Sequence, residues 1–318
     1  MARIGLGRVF ASLACALAVV LAGCGASTIE STLVPTRVVS FGDGFSDLGQ
    51  GGTRYTVNDG TASIWMERIS TGYGLTATAA VTGGTGYAQG NARVIAKPDA
   101  AGEASTRTLR EQIDAFLATK AFAPLDVVTI NGGISDIVAE MAAVQAGSIT
   151  EAQMLINVRA AGRELGNQTR RMVNAGAKYV LVAGVYNLGK SPWATSIAKA
   201  DHLQTASIAF NEGLLVSIVD LGANVLYVDT AQFFNGLIAV PATYNLTDAT
   251  TVVCTSIDLG NGIGIGINKV NSAKCTTTTT ITAGLVYNNY VFADAIYMTP
   301  FTQRQFGDFA LTKLRARW

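Results

Sequence analysis

The chain has 318 residues, of which 49% are hydrophobic and 14% are charged, with 23 basic and 22 acidic residues and a net charge of +1. This composition excludes a disordered or fibrous chain and provides enough apolar residues for one large globular domain. The balanced charge gives no indication of a nucleic-acid partner or of attraction to an anionic membrane surface.

The N-terminus has the pattern of an export signal. Arg3 and Arg8 precede an apolar run over 9–21 that is shorter than a membrane-spanning helix requires, and small residues lead directly into Cys24. This pattern predicts a lipoprotein signal over 1–23, with lipidated Cys24 as the first mature residue. An ordinary secretory signal with an incidental cysteine is the alternative. Removal of the signal would leave 21 basic and 22 acidic residues, because Arg3 and Arg8 leave with it.

The residue after Cys24 indicates the membrane to which the predicted lipoprotein would be sorted. Gly25, rather than aspartate, follows the cysteine, which resembles the pattern sorted to the outer membrane in Gram-negative bacteria. We therefore expect an outer-membrane lipoprotein of the bacterial cell envelope, held to the membrane through its lipid, on either the periplasmic or the exterior face. Residues 24–36 are small and polar and are predicted to be a tether.

Two cysteines remain in the predicted mature domain besides Cys24. Export places Cys254 and Cys275 in an oxidising compartment, which favours a disulfide between them. Such a bond would close the Thr- and Gly-rich segment 256–273. Two unpaired thiols are the alternative.

Apolar runs alternate with helix-period segments after residue 36. The strand-like runs are 37–41, 127–131, 178–183 and 224–229, and the helix-like segments are 108–117, 154–173 and 207–219. This alternation predicts an α/β sandwich in one domain, 37–318, with a mostly parallel sheet covered on both faces and an insertion over 239–285. In such sheets, ligands bind beyond the carboxyl ends of the strands, where the strand order reverses. Glycine-containing turns follow two of the predicted strands there, at 42–44 and 132–136.

Five segments resemble, in order, the sequence blocks of the GDSL (SGNH) hydrolases of the lipase/esterase branch. They are FGDGFSDLG (41–49), GTGYAQGNAR (84–93), GISD (133–136), NLGKSP (187–192) and FADAIYMTP (292–300). The resemblance covers residues 37–318 and implies a three-layer α/β/α sandwich with a flavodoxin-like, mostly parallel sheet. It also implies ester hydrolysis through an acyl-enzyme, with no cofactor. With a single histidine and no cysteine cluster, the sequence does not predict a zinc site.

The same alignment of blocks reveals three replacements at functional positions. Gly44 stands where the family has its nucleophilic serine, Tyr297 where it has the general-base histidine, and Ser135 where it has an oxyanion-binding asparagine. Asp294, the acid that orients the base, and Gly90, a backbone donor to the oxyanion, match the family. Glycine has no nucleophile, and a phenol with a pKa of about 10 is a poor base near neutral pH. We predict a degenerate domain that binds an acyl or sugar ligand in its cleft, or an unidentified protein partner, without hydrolysing esters.

Other uses of the site remain open. An active ester hydrolase with a rearranged site would use Ser46 or Ser135 as its nucleophile, although Ser46 beside Asp47 is also typical of a helix N-terminal cap. A structural envelope protein with a vestigial cleft is a third hypothesis. His202, the single histidine, is predicted to lie on a solvated helical face, outside every block.

Three acids are expected to gather near the cleft. Asp43, Asp136 and Asp294 lie in or beside the blocks, and paired carboxylates can catalyse glycoside hydrolysis. The resemblance instead implies that the acids of the first and third blocks hold turns through hydrogen bonds.

Overall fold

Four parallel strands form the central sheet of the computed structural model, which describes residues 31–318. In spatial order they are β1 (Arg37–Phe41), β2 (Asp126–Asn131), β3 (Tyr179–Ala183) and β4 (Val225–Val228). Every residue of β2 is buried, because helices cover both faces of the sheet. The predicted signal and Cys24 lie outside the described residues.

A short fifth strand-like segment extends the sheet beyond β1. The Ser40 N–H donates to the Thr85 carbonyl at 3.0 Å, and the Tyr87 N–H donates to the Ser40 carbonyl at 2.7 Å. If this segment is counted as the second strand in the chain, then β2, β3 and β4 are the third, fourth and fifth. The spatial order is then 2-1-3-4-5, which is the order of flavodoxin-like sheets. The order reverses between β1 and β2, so the loops that leave these two strands frame the expected ligand crevice.

The helices flank the sheet and complete a three-layer α/β/α sandwich, which confirms the predicted fold class. They are α1 (Trp65–Gly72), α2 (Leu109–Leu117), α3 (Ile134–Gln145), α4 (Glu151–Asn174), α5 (Pro192–Ser196), α6 (Ala200–Ile218), α7 (Thr230–Ala239) and α8 (Pro300–Arg317). The four predicted strands and three predicted helices are all present, with ends shifted by at most three residues except at the start of α6, which begins seven residues earlier than predicted. Within residues 31–318, no helix combines the length and apolar character that a membrane crossing requires.

Helix α2 positions the loop after β1. Its N-terminus is held by a capping box, since the Thr108 hydroxyl accepts from the Glu111 N–H and the Glu111 carboxylate accepts from the Thr108 N–H at 2.8 Å. One turn later, Gln112 accepts from the Gly42 N–H and donates to the Gly42 carbonyl, each at 2.9 Å. The buried amide of Gln112 therefore fixes the first residue beyond β1.

Two small sheets form at the predicted insertion, one within 239–285 and one that also includes a strand just beyond it. Strand β5 (Asp248–Val252) pairs in parallel with β8 (Tyr290–Phe292), and β6 (Ile257–Asp258) pairs antiparallel with β7 (Lys269–Val270). The predicted disulfide between Cys254 and Cys275 is present, with the two Cα atoms 5.8 Å apart. Because it closes a segment with a sequence separation of 21 residues, it contributes roughly 3 kcal/mol to stability.

The end of the predicted tether packs on the domain. Leu33 is buried, and the Ser31 hydroxyl donates to the Trp318 carbonyl at 2.5 Å. The Thr36 N–H donates to the Leu125 carbonyl at 3.2 Å. The folded domain therefore begins before Arg37, because residues 31–36 contribute an apolar side chain and hydrogen bonds to it.

Candidate functional site

The loops after β1 and β2 meet at the point where the strand order reverses. Asp43 Oδ1 accepts from the Asn131 side-chain amide at 2.7 Å and from the Phe45 N–H at 3.0 Å. A side chain on Gly42 would overlap with Asn131 Oδ1, so only glycine allows this approach. Asn131 ends β2, and its contact with Asp43 joins the two loops that carry the first and third blocks.

The space beside Gly44 is filled by Tyr297. A Cβ atom built on Gly44 would lie 2.7 Å from Tyr297 Oη and 2.8 Å from Tyr297 Cζ, both closer than van der Waals contact. Tyr297 is only 2% exposed. The phenol therefore occupies the volume into which a side chain at position 44 would project.

Tyr55 closes the same space from the other side. Its ring lies 5.2 Å from that of Tyr297, centroid to centroid, and its Cγ lies 3.0 Å from the position of a Gly44 Cβ. A side chain on Gly90 would overlap with the Tyr55 ring. We call Tyr55 and Tyr297 the tyrosine pair; together they cover both glycines, and nothing in the sequence around Tyr55 indicated this role.

The Gly90 N–H, which the resemblance gives to an oxyanion, has a partner in the fold. It donates to Asp47 Oδ2 at 2.8 Å. The other oxygen of Asp47 accepts from the Gly49 and Gln50 N–H groups, each at 2.8 Å. Asp47 thus ties the loop after β1 to the Gly90 loop, and this donor is engaged with a carboxylate.

The Asp294 carboxylate binds the backbone of a turn and does not orient the side chain at position 297. Its Oδ1 accepts from the backbone N–H groups of Ile296 at 2.8 Å and Tyr297 at 2.7 Å, and its Oδ2 accepts from the Ser272 N–H at 3.0 Å. Both carboxylate oxygens therefore bind backbone donors. The position is retained, and its geometry fixes the backbone from which Tyr297 projects.

Burial makes the tyrosine pair unsuited to proton abstraction. Burial raises the pKa of Tyr297 well above its usual value, and the nearby Asp43 carboxylate raises this pKa further. Burial also raises the pKa of Tyr55, with Asp47 acting in the same direction. Both phenols stay protonated at neutral pH, so neither can act as the general base of a hydrolase.

Ser46 lies in the core and does not cap a helix. Its Oγ accepts from the Trp65 indole N–H at 2.8 Å, and both side chains are fully buried. Residues 43–46 form a turn, and no helix begins there. The predicted N-cap role of Ser46 is wrong, because the chain after the turn continues as a loop and its hydroxyl instead satisfies a core tryptophan.

Ser135 lies in the first turn of α3, where it is 1% exposed. Its Oγ has no hydrogen-bond partner among the described residues, although it is fully enclosed. The neighbouring Asp136 accepts from the Val94 N–H at 3.1 Å and lies 3.5 Å from the Arg93 guanidinium, and burial raises its pKa. Asp136 therefore joins α3 to the chain after the Gly90 loop.

His202 lies on α6, apart from these groups. Its Nε2 lies 3.3 Å from the Met154 sulfur, and its Nδ1 lies 3.6 Å from the Glu151 carboxylate. No cluster of three or more His, Cys, Asp or Glu side chains within residues 31–318 is arranged to hold a metal ion.

The larger cavities avoid the tyrosine pair. One of about 530 Å³ lies beside the loop that follows Leu48 and includes Arg54 and Asp59 in its wall. A second, also of about 530 Å³, lies between Gln50 and Arg107. Neither is lined by Gly44, Ser135 or Tyr297, so these cavities do not open onto the predicted nucleophile position.

Known proteins that are similar to this chain include a curated relative and two crystal structures. No family model matches the sequence. The "Uncharacterized protein in trpE-trpG intergenic region" of Pseudomonas putida is 24% identical over 159 residues, or 50% of this chain and 25% of that protein. The chain thus spans about a quarter of the length of this curated relative. Two crystal structures align with 89% of this chain and 98% of their own, at 14% identity and TM-scores of 0.45 and 0.46.

Proposed function

We propose that this protein is an exported, lipid-anchored member of the GDSL hydrolase family, an esterase by descent that binds a ligand or a partner without hydrolysing esters. One observation carries the proposal: the phenol of Tyr297 fills the volume that a nucleophile side chain at position 44 would need. The five blocks, met in order along the chain, support the ancestry.

The chemistry of acyl transfer explains why this arrangement is inactive. The reaction requires a hydroxyl, an adjacent base to take its proton, and free donors aimed at the oxyanion. Here Gly44 supplies no hydroxyl, and Tyr297 retains its own proton. The Gly90 N–H is bound to Asp47 at 2.8 Å. Since triad members act as a unit, losing two of them removes nearly all of the rate acceleration.

The alternative, hydrolysis through Ser46 or Ser135, lacks support from their surroundings. Ser46 Oγ is bound to the Trp65 indole, and Ser135 Oγ is enclosed without a partner. His202, the single imidazole of the chain, pairs with groups on α4 instead. Within residues 31–318, neither serine hydroxyl is hydrogen-bonded to a base that would make it a nucleophile.

Short-chain nitrophenyl esters and a fluorophosphonate probe test the proposal directly. We expect the purified protein to hydrolyse these esters no faster than buffer and to remain unlabelled. Ser46→Ala and Ser135→Ala are the matched controls. Hydrolysis that disappears in one of them, together with labelling of that serine in the parent protein, would refute the proposal.

Restoration of the site provides the positive control. The variant combining Gly44→Ser, Ser135→Asn and Tyr297→His returns the missing groups, and adding Tyr55→Ala opens the space above Gly44 and Gly90. Ester hydrolysis that emerges only in these variants would support local loss on an intact scaffold.

The proposed anchor predicts membrane association that depends on one sulfur. We expect the wild-type protein to fractionate with membranes and to incorporate labelled palmitate, and Cys24→Ser to do neither. Cys15→Ser is the matched control, because it removes a cysteine without touching the proposed lipidation site or the disulfide. Equal palmitate labelling of wild type and Cys24→Ser would contradict the anchor.

A further inference from the structure

An apolar pocket of about 230 Å³ lies between α5 and the insertion. Its walls include Trp193, Ile197, Val252, Ile265 and Val270. The Trp193 N–H donates to the Ala295 carbonyl at 3.1 Å, which joins this pocket to the turn that carries Asp294 and Tyr297. The pocket is thus a separate space beside the filled site.

Two donors accompany the apolar walls. Trp193 is 2% exposed, and its indole N–H has no acceptor among residues 31–318. Exposed Lys269 also lines the pocket, and no carboxylate in the described part of the chain pairs with it. The nearby Lys274, by contrast, is bound to Asp258 at 2.7 Å. An indole N–H and an unpaired ammonium beside an apolar cavity complement an anion attached to an alkyl chain.

We propose that this pocket binds a medium-chain carboxylate, with the alkyl chain among the apolar walls and the carboxylate at Lys269 and the Trp193 indole. This inference rests on the proposed function, since it names the ligand class of a protein that binds without hydrolysing. A volume of about 230 Å³ is below the roughly 300–1,000 Å³ of pockets for drug-sized ligands, which suits a single alkyl chain of moderate length. Octanoate is therefore the first probe.

Calorimetric titration of the purified full chain with octanoate tests the inference. We expect octanoate to bind roughly fifteenfold more tightly than hexanoate, because each buried methylene contributes about fourfold in affinity. Decanoate should gain little more, since its additional carbons exceed the cavity. Octanol, which has the chain without the charge, should bind at least tenfold more weakly than octanoate.

Variants separate the charge from the apolar walls. Lys269→Gln should weaken octanoate binding about tenfold and leave octanol unchanged, and Trp193→Phe should weaken octanoate by a few-fold while keeping an aromatic wall. Lys178→Gln, an exposed lysine just before β3, is the matched control and should bind as wild type. Val252→Trp should fill the pocket and abolish binding. If Val252→Trp does not fold, Lys269→Gln and Trp193→Phe still decide the matter.

Two results would overturn the inference: no heat of binding with octanoate, or equal affinities for octanol and octanoate that Lys269→Gln leaves unchanged. Failure here is distinguishable from failure of the proposed function. A protein that neither binds octanoate nor hydrolyses nitrophenyl octanoate would refute the pocket assignment alone. Hydrolysis of that ester, lost in Ser46→Ala or Ser135→Ala, would refute the non-hydrolytic function whatever the titration shows.

Discussion

Gly44→Ser is expected to destabilise the protein by about 2 kcal/mol, although serine is the residue that the GDSL hydrolases, which these blocks resemble, have at this position. Its Cβ would lie 2.7 Å from Tyr297 Oη and 3.0 Å from Tyr55 Cγ, so the tyrosine pair would have to move. Tyr297 is nearly completely enclosed, and overpacking of this kind costs about 1–3 kcal/mol. Urea denaturation measures the effect as a lower midpoint with an unchanged slope.

A second glycine provides the control for this experiment. Gly51 lies in the exposed loop after the first block, and a Cβ there would meet nothing within 4 Å. Gly51→Ser should therefore change stability by less than about 0.5 kcal/mol.

Energetic coupling between positions 44 and 297 tests whether a clash with Tyr297 causes the destabilisation by Gly44→Ser. Tyr297→His shortens the side chain that meets the new serine, so the double variant should be less destabilised than the two single variants together. A difference of about 1–2 kcal/mol is expected for residues in direct contact. Strict additivity would contradict the assignment of the clash to Tyr297.

The free energy of unfolding is expected to fall as the pH rises from about 4 to above 6. Burial raises the pKa of Asp43 and of Asp47 to about 6, against about 3.9 in an unfolded chain. Between these values the folded protein holds protons that the unfolded chain has released, so increasing pH favours unfolding. Each group contributes up to about 3 kcal/mol, and its contribution is complete below pH 4 and lost as the pH passes 6. Burial also raises the pKa of Asp294 and Asp136, which act in the same direction.

Exposed carboxylates with a lowered pKa make the free energy of unfolding fall as the pH decreases below 4. Asp220 has a pKa lowered to about 2 by its hydrogen bond to Arg170, and its stabilisation is lost as the pH falls below 4. Solvent screening keeps that contribution small. We therefore expect maximal stability near pH 4 to 5, measured by urea denaturation at a series of pH values.

Asp43→Asn isolates one contribution to this pH dependence. An asparagine oxygen can still accept from the Phe45 N–H and the Asn131 amide. The substitution removes the titrating carboxylate, whose Oδ2 lacks a partner in the described structure. The variant should lose less stability than wild type between pH 5 and 8, and exposed Asp201→Asn should follow the wild-type curve. A wild-type stability that increases across this range would contradict the assignment.

The acids of the blocks and the residues at positions 44 and 297 differ in what their side chains contribute to the fold. The acids of the blocks bind backbone N–H groups: Asp43 at Phe45, Asp47 at Gly90 and Asp294 at Tyr297. Their replacement would leave buried donors unpaired, at a cost of about 1–3 kcal/mol each. Gly44 has no side chain, and Tyr297 binds Asp294 only through its backbone N–H, so under the proposed descent from a hydrolase both positions were free to change together.

The sequence by itself determined the α/β class, the four central strands and the disulfide. Apolar runs such as 127–131 and helix-period segments such as 154–173 depend on local periodicity, which a sequence displays directly. The pairing of the cysteines was predicted from the expected export signal, because the redox state of the compartment decides their oxidation. The blocks also identified Gly44 and Tyr297 as replacements, but not that the second fills the place of the first.

Only the tertiary structure decided what occupies the site. Tyr55 lies 35 residues before Gly90 in the sequence, and its ring covers that glycine because the loop after the first block folds back across it. Ser46, which was predicted to cap a helix, accepts a hydrogen bond from Trp65. The periodicity of the sequence does not predict this contact, because it joins two separate segments of the chain. Such contacts depend on how loops pack in three dimensions, and loop conformation is set by neighbours distant in the chain. The sequence therefore identified where the chain departs from the blocks it resembles, and the fold determined that two phenol rings occupy the space beside Gly44 and Gly90.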